Sequence, residues 1–101
     1  MNQFFKTDEF NDWLKLLKNS TAKARIVQRL DNAILGNFGD TKPVGEGVCD
    51  MRIHTGAGYR VYYTRYNDKT YWLLLGGDKS NQQHDIEKAI RLAKNLKETK
   101  S

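Results

Sequence analysis

One cysteine, one proline, two histidines and no long apolar run are the scarcities of this 101-residue chain. With Cys49 as the sole thiol no internal disulfide can form, and its place on an apolar strand face predicts a buried, inert side chain. Two histidines and one cysteine, at no metal-binding spacing, argue against a zinc site, so neither metal nor cofactor is expected. No apolar stretch approaches the ~20 residues of a bilayer span. The N-terminus MNQFFKTDEF shows neither an apolar leader nor a cleavage site. No membrane partner and a cytoplasmic location are therefore expected. At this length one core, and so a single domain over residues 1–101, is expected.

Charge of one sign is in excess. The net charge is +5 and the pI about 9.4, a balance that favours nucleic acid or an acidic partner. Where the charge sits matters more than the total.

The stretch Val48 to Lys79, VCDMRIHTGAGYRVYYTRYNDKTYWLLLGGDK, reads as three consecutive strands joined by short turns. In the first, Cys49, Met51 and Ile53 alternate with Asp50, Arg52 and His54, the period of a half-buried strand. Tyr59 to Tyr66 is the second strand. The nearly unbroken apolar run Thr70 to Leu75 is the third, ended by Gly76-Gly77. A three-residue loop, Thr55 to Ala57, pairs Ile53 with Tyr59, Met51 with Val61 and Cys49 with Tyr63. All the apolar side chains then share one face, whereas an even loop would mix the faces. That register sets Arg52 opposite Arg60 on the open face, beside Asp50 and Tyr62. Like charges directly opposite destabilise a sheet, so the pair points either to an anionic ligand or to two solvated arginines sharing Asp50. Arg60, facing out, is expected to leave no cavity when removed.

Before this stretch, Gln3 to Lys6 reads as a short strand. Thr7 or Asp8 caps a helix whose stripe is Phe10, Trp13, Leu14 and Leu17. After the break at Asn19-Ser20, a second helix runs from about Thr21 to Leu35. Ala22, Ile26, Leu30, Ala33 and Ile34 face inward, and Lys23, Arg25 and Arg29 outward. Gly36 to Gly47, GNFGDTKPVGEG, is the longest irregular segment, and such loops often carry function. It lacks the GK[ST] of a phosphate-binding loop, but Lys42, held beside Pro43, could reach a phosphate. Beyond the strands, Ser80 and Gln83 fit a capping box. It opens a helix with Ile86, Ala89, Ile90, Ala93 and Leu96 on one side. Trp13, Ile26, Leu30, Ile53, Val61 and Leu74 are the expected core.

This order, strand, helical hairpin, three antiparallel strands and C-terminal helix, resembles the RelE/ParE superfamily of bacterial toxins. The words RLDNAILGNFGDTKPVGEGV, DMRIHTGAGYRVYY and LLLGGDKSNQQHDIEKAI look like its HigB-like branch of addiction-module killer proteins. The resemblance covers nearly the whole chain. It implies an α+β fold of order β-α-α-β-β-β-α, a twisted, mainly antiparallel sheet with the helical hairpin on one face and a C-terminal helix. It also implies a toxin encoded beside an antitoxin, a helix-turn-helix protein through which alone operator DNA is bound. In the RelE branch such toxins enter the ribosome and cut mRNA with basic residues of the sheet. Carried over, those residues are Arg52, Arg60 and Lys79. The branch's residue early in the last helix falls near Gln83, His84 and Asp85, where the match is loose.

Two functions follow. As an endoribonuclease the protein would use the RNA's own 2′-OH as nucleophile. Arg52 and Arg60 would hold the phosphoryl oxygens and Lys79 would supply charge or a proton. His54 or His84 would serve as acid or base, and Tyr62 would stack on a base. As a ParE-like binding protein it would instead inhibit DNA gyrase without chemistry of its own. Fold alone does not separate the two.

Overall fold

The computed structural model describes residues 1–99. The chain runs β1 (Gln3–Lys6), α1 (Asp8–Leu16), α2 (Ser20–Ile34), β2 (Thr41–Gly45), β3 (Val48–Ile53), β4 (Tyr59–Asn67), β5 (Thr70–Asp78), a 3₁₀ turn (Lys79–Asn81) and α3 (Gln82–Thr99). The fold is α+β. Its five strands form one mixed sheet in the order β1-β5-β4-β3-β2. Only β1 runs parallel to its neighbour, β5, while the other pairings are antiparallel. Among the described residues no helix is long and apolar enough to cross a membrane.

Local chemistry sets the helix starts. The Thr7 hydroxyl accepts the Phe10 N–H at 3.0 Å, and Asn19 Oδ1 accepts that of Ala22 at 3.1 Å, each satisfying one orphan donor of a first turn. Thr7 also reaches the sheet. Its N–H donates to Leu73 O at 3.1 Å and its hydroxyl to Leu74 O at 2.7 Å.

The two halves of the helical content take opposite faces. Phe10 from α1 and Ile26, Leu30 and Ala33 from α2 bury Met51, Ile53, Val61, Tyr63 and Leu73. Ala89 and Ala93 of α3 pack on Val48, Tyr62, Leu74 and Leu75. The face carrying Asp50 and Tyr62, expected to be open, is therefore roofed by α3, and both residues are 0% exposed. Of the expected core, Ile26, Leu30, Ile53, Val61 and Leu74 are buried, and Trp13 is half-buried at its edge. Cys49 is half-buried, and burial raises its thiol pKa.

Three local expectations are corrected. Thr41–Gly45, read as part of a loop, is an edge strand on β3. An edge tolerates the missing N–H of Pro43, and a register shift between Pro43 and Gly45 accommodates the glycines. Gly76 and Gly77 do not end β5. They lie inside it, where a Cβ on Gly76 would sit 2.1 Å from the Trp13 ring and one on Gly77 2.1 Å from Asp85 Oδ2. Close approach of neighbours from both sides, not chain reversal, accounts for the pair. The junction after β5 is capped by Asp78, whose Oδ1 accepts the Ser80 N–H at 2.9 Å, so Ser80 is not the cap.

β5 also bulges. Tyr62 is opposite Leu75 but Tyr63 is opposite Leu73. Leu74 is the extra residue, and both it and Leu75 pack beneath α3.

Candidate functional site

The β3–β4 hairpin has the expected register: Ile53 faces Tyr59, Arg52 faces Arg60, Met51 faces Val61 and Cys49 faces Tyr63. The 3₁₀ turn after β5 brings Lys79 to the same end of the sheet. Its N–H donates to Gly58 O at 3.0 Å, and its aliphatic chain lies so close that a Cβ on Gly58 would come within 3.2 Å of Cδ. Gly58 also has a φ of +79°, a backbone conformation that favours glycine whatever the space around it. Arg52, Arg60, Lys79 and His54, with Ile53, Gly58 and Tyr59, line one open cleft of about 200 Å³.

Asp50 lies beneath the two arginines. Its Oδ2 accepts from Arg60 Nη1 at 3.2 Å, and its Oδ1 is 3.7 Å from Arg52 Nε. The arginine side chains are only 16% and 26% exposed, so one carboxylate offsets the repulsion that their opposition creates. Arg60 therefore does not face freely outward: without it Asp50 would be a buried charge with one distant partner. The polar matching here is incomplete. Among the described residues, Asp50 Oδ1, Arg52 Nε, Arg60 Nε and Tyr62 OH are buried without a hydrogen-bond partner, as is Trp72 Nε1 elsewhere. The first four belong to neighbouring groups: Asp50 lies between the two arginines, and the charges of Asp50 and Arg60 act on the Tyr62 hydroxyl.

His54 stands at the rim of the cleft. Its Nε2 is 2.6 Å from Asp40 Oδ2. The hydrogen bond to His54 is the chief reason the Asp40 carboxyl titrates below its usual range, with the charges of Arg52 and Arg29 acting in the same direction. Asp40 is itself fixed through its backbone, for its carbonyl accepts from Arg52 N at 2.9 Å and from Arg29 Nη2 at 3.2 Å. Arg29 Nη2 also donates to Phe38 O at 2.9 Å, and Nη1 donates to Arg52 O. Arg29, expected on a solvated face, is instead a half-buried clamp joining α2, β3 and the segment before β2. Beyond His54, a second cleft of about 160 Å³ is lined by Arg25, Gln28, Arg29, Ile53, His54 and Thr55.

The other expected residues lie outside the cleft. Tyr62, placed for base stacking, is fully buried under α3 and cannot present its ring to a ligand. Burial, reinforced by the charge of Asp85, pushes its hydroxyl up to about 12. Lys42 is exposed on the edge strand, across from Asp50. His84 is exposed in the first turn of α3, and the neighbouring Asp85 turns inward over Gly77. Burial raises the pKa of that carboxyl. Asp40 and Arg29 are neighbours of the cleft that the sequence pattern does not reveal. Asp40 is fourteen residues from His54 and shares no element with it, so no periodicity links them. Among the described residues no three His, Cys, Asp or Glu side chains converge as a metal ion requires.

No family model matches the chain. A protein of Haemophilus influenzae, described only as uncharacterized, is 47% identical to it over 94 residues, which cover 93% of this chain and 95% of that protein. Near-complete coverage at this identity means one fold and one lineage, and the chain belongs to the family of that Haemophilus influenzae protein.

Proposed function

We propose that this protein is the toxin of a type II toxin–antitoxin module, of RelE/ParE topology and HigB-like type, acting as an mRNA endoribonuclease on the ribosome. The observation that carries this reading is the convergence of Arg52, Arg60, Lys79 and His54 on one open cleft. A phosphodiester is the ligand such a cleft suits. Two guanidiniums offer forked N–H donors to non-bridging oxygens, and Lys79 adds a third positive charge. RNA supplies its own nucleophile, so the protein's work is to align the 2′-oxygen with the leaving 5′-oxygen and stabilise charge on the phosphoryl group. The order of strand, helical pair, antiparallel strands and last helix supports this reading, with β2 as an edge strand that the expected order does not include. The partners in this reading are a helix-turn-helix antitoxin, mRNA on the ribosome, and operator DNA through the antitoxin.

The ParE-like alternative, inhibition of DNA gyrase by binding alone, draws support from Asp50. A buried carboxylate already shared by both arginines reduces the net charge offered to a phosphate. The test runs both assays side by side: primer extension on a reporter mRNA with translating ribosomes, and gyrase supercoiling. Arg60→Lys keeps a cation for Asp50 but loses the fork, so the fold holds. The expected result is new mRNA ends and growth arrest with the native protein, and a loss of ~10²-fold or more in Arg60→Lys, the scale of one lost transition-state contact. Inhibited supercoiling without new mRNA ends would replace the nuclease by the gyrase reading.

A further inference from the structure

From the geometry at the rim of the cleft we infer that His54 is the general base of RNA cleavage and Asp40 its positioning residue. This rests on the nuclease reading and assigns it the proton acceptor that three cations cannot provide. His54 shares the cleft with Arg52, Arg60 and Lys79, and its Nε2 is 2.6 Å from Asp40 Oδ2. A carboxylate only accepts hydrogen bonds, so the proton between them belongs to Nε2. In the neutral ring the lone pair is then on Nδ1. Asp40 thus selects the tautomer as well as the ring orientation, as a carboxylate does for an imidazole base elsewhere.

The pair has little other purpose. The His54 and Asp40 side chains are 73% and 47% exposed, and ion pairs that open to water add little to stability. Yet Asp40 is held more firmly than an incidental surface residue, through the two hydrogen bonds that its carbonyl accepts from Arg52 N and Arg29 Nη2. Arg29 in turn clamps the Arg52 and Phe38 carbonyls. The scaffold that fixes the strand carrying Arg52 therefore fixes the carboxylate that orients His54. The charged groups around the imidazole are Asp40, Arg52 on its own strand, Arg60 and Lys79 across the cleft, and Arg25 and Arg29 from α2. Asp40 is the acid among them that touches the ring, while the Asp50 carboxylate lies beneath Arg52 and Arg60.

In the step this implies, the 2′-OH gives its proton to His54 Nδ1 as the 2′-oxygen attacks phosphorus. The phosphorus–5′-oxygen bond breaks, and the 5′-oxygen takes a proton from solvent. The products are a 2′,3′-cyclic phosphate and a 5′-hydroxyl end. Arg52 and Arg60 hold the non-bridging oxygens, and Lys79 offsets charge at the leaving side.

The experiment measures cleavage of a reporter mRNA on translating ribosomes with the full chain and its His54→Ala, His54→Gln, Asp40→Asn, Asp40→Glu and Arg60→Lys variants. Circular dichroism confirms folding; the exposed His54 and Asp40 side chains can be replaced without disturbing the Asp40 carbonyl contacts. His54→Gln is expected to lower kcat by ~10²-fold or more with KM nearly unchanged, and to lose the acid limb of the pH–rate profile. Added imidazole should restore cleavage to His54→Ala. Asp40→Asn should lower kcat less than His54→Gln does, again at constant KM, and Asp40→Glu should recover part of the loss. The native 3′ fragment should carry a 5′-hydroxyl. If Arg60→Lys loses cleavage while the His54 and Asp40 variants retain the native rate and pH profile, this assignment is overturned and the nuclease reading stands. If the native protein produces no cleavage, both fall together.

Discussion

Tyr62 and Tyr63 are consecutive on β4 and point to opposite faces of the sheet, and the contrast between them is the contrast between those faces. Tyr63 faces α1 and α2. Its hydroxyl is 2.6 Å from Thr41 Oγ1, and its ring stacks on Phe38 with centroids 5.3 Å apart, in a cluster with Phe4 and Tyr71. Tyr62 faces α3, and its hydroxyl has no hydrogen-bond partner among the described residues. It shares its surroundings with Asp85, Arg60 and Asp50. Desolvation pushes both hydroxyls up to about 12, but only one is matched. The hairpin-side face is packed for stability; the α3-side face retains incompletely paired polar groups next to the cleft. Strained or under-satisfied groups that persist beside a cleft mark the place where stability yields to function.

That comparison can be broken at either face. Phe10→Ala, on the well-matched side, empties a site at 0% exposure and is expected to cost ~3–5 kcal/mol through lost burial and a cavity. Urea unfolding measures it, and a cost below ~1 kcal/mol would mean that α1 is not packed as described. Arg60→Ala should be only somewhat milder, about 3 kcal/mol, because it strips a buried carboxylate of its nearer partner. A variant as stable as the native protein would show that Asp50 does not need Arg60. Asp85→Asn should do the opposite. A carboxyl whose folded pKa is raised disfavours its own charged form, so the folded protein binds the proton more tightly than the unfolded chain. Its penalty is absent below the ordinary value of 3.8 and grows as pH rises through the folded value. Removing the charge should therefore raise stability at neutral pH and leave it unchanged in acid. Thermal melts at pH 7 and pH 3 decide it, and equal shifts at the two would refute the burial origin.

Much of the hairpin-side face was legible in the sequence. Parity alone fixed the β3–β4 register, since the wrong loop length would have mixed Ile53 with Arg60. The stripe of α2 gave Ile26, Leu30 and Ala33 as core. What escaped was the second face. Asp50, Arg52 and Tyr62 alternate with apolar residues and so look like a solvent side, and nothing local says that α3 crosses over them. The same error made Tyr62 a ligand-facing ring and Arg60 a free one. Thr41–Gly45 escaped because proline and glycine suppress the strand signal at an edge that tolerates them. At the site, the cations were readable from position along two strands. Asp50 was readable from the same register as the carboxylate the two arginines share, but Asp40 meets His54 through a tertiary contact, on which periodicity is silent.

The bulge in β5 gives the chain an asymmetric tolerance to changes in length. Leu74 is one residue more than the pairing with β4 requires, so the strand carries a residue of slack just before Gly76, Gly77 and Lys79. Losing one residue there can be absorbed by straightening the strand, leaving Trp13 over Gly76, Asp85 over Gly77 and Lys79 at the cleft. Gaining one has no such reserve. It would rotate every later side chain to the other face, set both glycines under the wrong neighbours and carry Lys79 away from Arg52 and Arg60. Among relatives of this chain, shortening between residues 73 and 76 is thus the compatible change, and lengthening the one that dismantles the cleft.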